Sequence, residues 1–81
     1  MDKKTLGKLI QKTRKEKKLR QYELSASTGL SRNYISDIEN GRYMPSVDSL
    51  SKIATCLEFD LNVLRMTEIQ DNELVAGGNA N

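Results

Sequence analysis

The stretch "ASTGLSRNYISDIENG", residues 26–41, contains the pattern that decides the fold. Gly29 interrupts one helical pattern, and another begins only two residues later at Ser31. Glycine readily adopts the positive φ with which many helices end, and a serine hydroxyl can accept from the free N–H groups of the next helix. The stretch therefore predicts two short helices joined by a tight turn.

The second helix of this stretch has two chemically different faces. Ile35 and Ile38 lie three residues apart and share one face, which is expected to be buried. The other face carries hydrogen-bonding side chains, namely Arg32, Asn33, Ser36 and Asp37. Two helices joined by a short turn containing glycine, with a polar outer face on the second, are typical of a helix-turn-helix.

The apolar periodicity continues on both sides of this pair and predicts an all-α fold of five helices. The first four are predicted at about residues 4–17, 21–28, 32–40 and 47–58, with Ser46 capping the fourth. A fifth would follow an Asp60 cap and carry Leu61, Val63 and Leu64. Residues 1–64 form the predicted domain, and residues 65–81 form a helix-five extension with a frayed tail. Residues 65–75 carry Ile69, Leu74 and Val75 and form either a dimer seam, which is favoured, or a ragged tail.

The boundary between the first two helices has no glycine. The apolar register restarts at Tyr22 and Leu24, so the first helix must end near Lys18. We therefore expect Lys18 to adopt the left-handed conformation at some energetic cost.

Composition restricts the chemistry. With 81 residues, the chain supports one domain, and its 37% hydrophobic and 30% charged residues are those of a soluble helical protein. It has no histidine and a single cysteine, Cys56, which excludes Ser-His and Cys-His nucleophiles and the usual zinc ligand sets. We expect no enzyme, cofactor or metal. No segment is apolar enough for a bilayer or for secretion, which predicts a cytoplasmic protein.

Charge is distributed unevenly along the chain. Residues 1–20 contain nine basic and two acidic side chains, whereas residues 21–81 contain four basic and nine acidic ones. A molecule with one strongly basic end can present that end to a polyanion, although a lysine-rich helix is often only a solvated face. Charge alone therefore does not decide between a surface that binds nucleic acid and a helix face that is merely solvated.

The polar face of the third helix has the residue types that read bases in a major groove. Arg32 can donate two hydrogen bonds to guanine, Asn33 can pair bidentately with adenine, and Ser36 can contact several bases. Asp37 is less suited to a site near phosphates. We expect it to read a cytosine amino group or to orient Arg32 or Asn33.

The sequence resembles the Cro and phage-repressor type of helix-turn-helix regulators, also called the xenobiotic-response-element family. The resemblance covers about residues 6–64 and rests on "RKEKKLRQYELSASTGLSRNYISDIENGRYMPSVDSLSKIATCL". Gln21 and five segments fall in register with the family pattern, the segments being Glu23-Leu24, Gly29-Leu30-Ser31, Tyr34-Ile35-Ser36, Ile38-Glu39-Asn40-Gly41 and Pro45-Ser46. The resemblance implies a lambda-repressor-like fold in which the third helix is the recognition helix, which enters the major groove of double-stranded DNA.

The resemblance also implies roles for individual residues. Gln21 would bridge a phosphate and the recognition helix, and Arg14 would pair with Glu39 to tie the first helix to the end of the third. Contacts to the DNA backbone would come from Tyr34, Asn40 and Arg42, with Arg20 and Ser31 at the N-termini of the second and third helices close to the phosphates.

These features predict a sequence-specific transcriptional regulator, a homodimeric repressor that binds an inverted-repeat operator. One alternative is an interaction module, such as an antitoxin or a regulator antagonist, for which the partner would be a protein. Another is a controller protein of a restriction-modification system. The outer face of the third helix carries donors and no large apolar anchor, which favours DNA over a partner helix.

Overall fold

A computed structural model describes residues 1–59, which form four helices. They are α1 (Lys3–Glu16), α2 (Gln21–Thr28), α3 (Arg32–Glu39) and α4 (Val47–Leu57). Each corresponds to a predicted helix to within one residue at either end. Within this part of the chain, no helix is long and apolar enough to cross a membrane.

The predicted number of five helices is wrong for the fold that the structure describes, which has four. Within residues 1–59, these four helices pack on one another around a common core. Six large side chains in it are fully buried, namely Ile10, Leu24, Ile35, Ile38, Ile53 and Leu57. The residues assigned to a fifth helix, from Asp60 onward, lie outside the described residues, as does the segment 65–81.

Three helices begin with a side chain that accepts from the backbone. The hydroxyls of Ser31 and Ser46 cap α3 and α4, as predicted, and accept from N–H groups at 3.0 and 3.1 Å. The third cap, Asp2, was not predicted; its Oδ1 accepts from the Thr5 N–H at 2.7 Å at the start of α1. Hydrogen bonds from the backbone and side chain of Thr5 lower the pKa of Asp2.

The second helix begins and ends without a side-chain cap of this kind. Its N-cap is Arg20, which has no side-chain acceptor, so the Glu23 carboxylate instead accepts from the Arg20 N–H at 2.7 Å. At the other end, Gly29 has φ +78° and its N–H donates to the Ser25 carbonyl at 2.9 Å. The predicted role of Gly29 is confirmed, and the turn to α3 follows directly.

The first and third helices touch backbone to backbone at Gly7. A Cβ added at Gly7 would lie 2.3 Å from the Ile38 carbonyl oxygen and 2.8 Å from that of Glu39. Those carbonyls belong to the last turn of α3, so no side chain can separate the two helices here. Nothing in the apolar periodicity indicated this contact, because the periodicity marks which faces are buried but not how closely they approach.

Among residues 1–59, two residues other than glycine have a left-handed backbone. Lys18 has φ +60°, which confirms the expected strained end of α1, and Glu58 has the same φ at the end of α4. For a residue with a Cβ, this conformation costs roughly 1–2 kcal/mol.

Replacement of Lys18 by glycine is expected to stabilise the fold by about 1 kcal/mol, because glycine adopts a positive φ without the Cβ penalty. The matched control is Lys12→Gly, which removes the same charge from an exposed position inside α1 and should cost about 1 kcal/mol. Urea denaturation measures both free energies of unfolding. If both variants changed the free energy of unfolding in the same direction, the assignment of strain to Lys18 would be contradicted.

Candidate nucleic-acid interface

A buried ion pair joins the first helix to the end of the third. Arg14 donates from Nε to Glu39 Oε2 at 2.7 Å and from Nη2 to Oε1 at 3.0 Å. The side chains of Arg14 and Glu39 are only 8% and 1% exposed. This is the pair that the family resemblance implies, and its bidentate geometry fixes both the distance and the orientation of the two helices.

The same two side chains hold the start of the second helix. Arg14 Nη1 donates to the Leu19 carbonyl at 2.7 Å, and Gln21 Nε2 donates to Glu39 Oε1 at 3.1 Å. Gln21, which the resemblance places between a phosphate and the recognition helix, therefore contacts the last residue of α3. The contact to Leu19 was not predicted, because a carbonyl leaves no signal in a sequence pattern.

Hydroxyl groups fix the turn between the second and third helices. Ser25 Oγ donates to the Leu30 carbonyl at 2.5 Å, and the Leu30 N–H donates to Thr28 Oγ1 at 3.2 Å. Thr28 Oγ1 in turn donates to the Leu24 carbonyl at 2.8 Å. These hydroxyls satisfy backbone groups at the turn, so the angle between α2 and α3 does not depend on Gly29 alone.

Two of the predicted base-reading side chains stand free at the first turn of α3. Arg32 and Asn33 are exposed, and neither side chain has a hydrogen bond or ion pair within residues 1–59. Ser36, one turn further on, is half-buried, and Asn40 Nδ2 lies 2.9 Å from its carbonyl oxygen and 3.3 Å from its hydroxyl. Donor capacity is therefore concentrated at the N-terminal end of the helix.

Asp37 contacts neither of the residues it was expected to orient. Its carboxylate Oδ1 instead accepts from Arg42 Nη1 at 3.0 Å. In the described part of the chain, no hydrogen bond joins Asp37 to the side chain of Arg32 or Asn33. The structure thus brings together one predicted base-reading residue and one predicted backbone-contacting residue.

Tyr34 has a structural contact beside its predicted role at the DNA backbone. Its side chain is half-buried, and its hydroxyl accepts from the Ser46 N–H at a long 3.4 Å. Arg20 and Ser31, at the N-termini of α2 and α3, are both exposed. The partial positive charge of helix N-termini favours an anion at these two positions.

Basic side chains lie in and directly after the last two turns of the first helix. Lys12, Lys15, Lys17 and Lys18 are exposed there, in addition to Arg20. One of them is paired, since Lys17 Nζ lies 2.8 Å from Glu58 Oε1 and this hydrogen bond lowers the pKa of Glu58. Lys18 and Arg20 lie directly before α2, and their exposed cations attract polyanions to its N-terminal end.

Comparison with known proteins identifies the class that this fold and this surface define. The profile of the helix-turn-helix family matches residues 10–64. The chain belongs to this family, in its Cro and phage-repressor type, a family of DNA-binding transcription regulators.

Similar proteins include two from Bacillus phage phi105. The "ImmF control region 10 kDa protein" is 59% identical over 86% of this chain and 78% of its own length. The "Immunity repressor protein" is 40% identical over 74% of this chain and 42% of its own. The "HTH-type transcriptional regulator SlrR" of Bacillus subtilis is 35% identical over 90% of this chain and 49% of its own. The chain thus spans less than half of the last two proteins.

A solved structure supports the fold independently of sequence. The clp gene regulator ClgR from Corynebacterium glutamicum superposes with a TM-score of 0.75 over 93% of this chain and 80% of its own, at 23% identity. At this identity the likeness concerns the fold alone.

Replacement of Arg14 by methionine is expected to destabilise the fold by about 3–5 kcal/mol, because it leaves the Glu39 carboxylate buried without its cation. A double variant, Arg14→Met with Glu39→Met, should recover a large part of that loss, since it removes both charges. Urea denaturation of the two single variants and the double one measures the coupling. If the losses of stability in the two single variants added up to the loss in the double variant, a buried ion pair would be contradicted.

Proposed function

We propose that the protein is a sequence-specific repressor of transcription that binds an inverted-repeat operator as a homodimer. The observation that carries this proposal is the free pair of donors at the first turn of α3, Arg32 and Asn33, on a helix whose far end is fixed by the buried Arg14–Glu39 pair. Free donors on a rigidly held helix suit the reading of base edges.

The third helix has the dimensions that a major groove accepts. An α-helix with its side chains is about 10–12 Å across, and a B-DNA major groove is about 12 Å wide. The N-terminal turn of a recognition helix is the part that reaches the bases. In this orientation, the exposed end of α3 enters the groove, while Ile35 and Ile38 keep the opposite face in the core.

Each proposed base-reading residue has its own preference. Arg32 is assigned to guanine O6 and N7, and Asn33 to adenine N6 and N7, because these pairings are bidentate. Ser36 is closer to the centre of α3 and can donate or accept at short range. The half-site is therefore expected to contain a guanine and an adenine at neighbouring positions.

Contacts to the sugar-phosphate backbone position the helix without reading sequence. We assign them to six residues around the ends of α2 and α3: Arg20, Gln21, Ser31, Tyr34, Asn40 and Arg42. Their positions support this assignment, since Arg20 and Gln21 lie at the start of α2, Ser31 and Tyr34 at the start of α3, and Asn40 and Arg42 directly after α3. Gln21 would keep its bond to Glu39 while its amide approaches a phosphate.

We infer a homodimer because one short helix can contact only a few base pairs. Two copies related by a twofold axis would place two α3 helices in successive major grooves, about 34 Å apart. The similarity to the phage protein named an immunity repressor supports repression as the outcome.

Selection of bound sites from random duplex DNA, followed by measurement of Arg32→Ala, tests the proposal. The selected sites should form an inverted repeat. Arg32→Ala should lose about 1–3 kcal/mol on that operator and relax selectivity at one base pair of each half-site.

Lys12→Ala is the control, because it removes an exposed cation from α1 and should leave base selectivity intact. An equal loss on every sequence after Arg32→Ala would show that Arg32 contacts the backbone rather than a base. No enriched site at all would contradict sequence-specific binding.

A further inference from the structure

We infer that Asp37 is a positioning residue: it holds Arg42 at the end of α3 and thereby limits how strongly the protein binds DNA of unrelated sequence. Asp37 then sets the ratio of specific to non-specific binding without reading a base itself. This inference rests on the proposed DNA-binding function and concerns the same surface.

Arg42 is attached to Asp37 through both its main chain and its side chain. The Arg42 N–H donates to the Asp37 carbonyl at 2.8 Å, and Nη1 donates to the Asp37 carboxylate at 3.0 Å. Gly41, with φ +76°, turns the chain back so that both bonds can form. Lys3 Nζ, at the start of α1, adds a bond to the Arg42 carbonyl at 3.3 Å.

The pair leaves the arginine able to bind an anion. A guanidinium has five N–H donors, and the contact to Asp37 uses Nη1. The edge formed by Nε and Nη2 remains open, and it is the edge with which Arg14 binds both oxygens of Glu39. The Arg42 side chain is 63% exposed and that of Asp37 28%, so the cation faces outward and the carboxylate lies behind it.

The pair changes how Arg42 acts on DNA at a distance. Attraction between cations and phosphates is the sequence-independent part of binding. A carboxylate 3.0 Å from the guanidinium offsets its charge towards phosphates that lie several times that distance away, but does not prevent a direct contact with a phosphate. Arg42 is therefore most effective when α3 is already in register on an operator.

A base-reading Asp37 would behave differently. A carboxylate that accepts from a cytosine amino group acts at one base pair, and its loss weakens the operator complex only. A carboxylate that acts through Arg42 changes binding to every sequence, and its effect requires Arg42. The two roles therefore separate in a double-variant experiment.

The test is Asp37→Asn, alone and combined with Arg42→Ala, with affinities measured for the selected operator and for an unrelated duplex between 50 and 200 mM salt. Asp37→Asn should strengthen binding to the unrelated duplex by about threefold to tenfold, with a salt slope steeper by up to about 0.9. The ratio of specific to non-specific affinity should fall accordingly. Arg42→Ala should weaken both complexes and abolish the effect of Asp37→Asn.

The matched control is Asp48→Asn, which makes the same change of charge on α4 at an exposed carboxylate paired with Lys52 at 3.3 Å. It should leave the ratio unchanged, and thermal melting verifies that each variant is folded. Three outcomes overturn the inference: a loss confined to one base pair of the operator, an undiminished effect without Arg42, or an equal effect of Asp48→Asn. Failure of the unmodified protein to bind any duplex would instead overturn the proposed function itself.

Discussion

The bidentate ion pair between Arg14 and Glu39 is the constraint on which the arrangement of the helices depends. It lies inside the protein, where an unpaired charge is costly, so the two side chains must remain together. Arg14 also holds the Leu19 carbonyl, and Glu39 also accepts from Gln21. One pair thus links α1, the loop after it, the first residue of α2 and the last residue of α3.

The pair works together with a close backbone contact. Gly7 lets α1 approach the last turn of α3 to a distance that excludes any side chain, and the ion pair then fixes the rotation of that turn. Fully buried isoleucines and leucines hold the opposite side of α3 in the core. With its inner face and its far end both fixed, α3 can leave its first turn free for a partner. The free donors Arg32 and Asn33 lie on that turn.

The sequence was sufficient for the features that depend on local chemistry. The helix ends followed from Gly29, Ser31 and Ser46, because the conformational freedom of glycine and the hydroxyl of serine act within a few residues. The buried faces followed from periodicity. Local patterns did not indicate the approach at Gly7 or the bond from Arg14 to Leu19, since both depend on how helices distant in the chain meet.

In the candidate site, too, local features could be predicted from the sequence, whereas contacts made by the folded chain could not. The exposed residues of α3 could be named from helical spacing. Asp37, however, was expected to read a base or to orient Arg32 or Asn33, and in the structure it contacts Arg42, which lies beyond Gly41. A reversal of the chain after α3 creates that contact, and spacing along a helix does not describe it. The five-helix prediction is wrong for the described fold, because within residues 1–59 four helices already enclose the core.

We propose that the first turn of α3, held by the buried Arg14–Glu39 pair, is the surface that contacts DNA. The most direct test is titration of the isotope-labelled protein with the selected operator, followed by amide chemical shifts. We expect the largest changes at residues 31–36, with further changes at Gln21 and Arg42, and almost none at Ser51, Lys52 and Thr55 on the exposed side of α4. Changes centred on α4, with residues 31–36 unaffected, would contradict it.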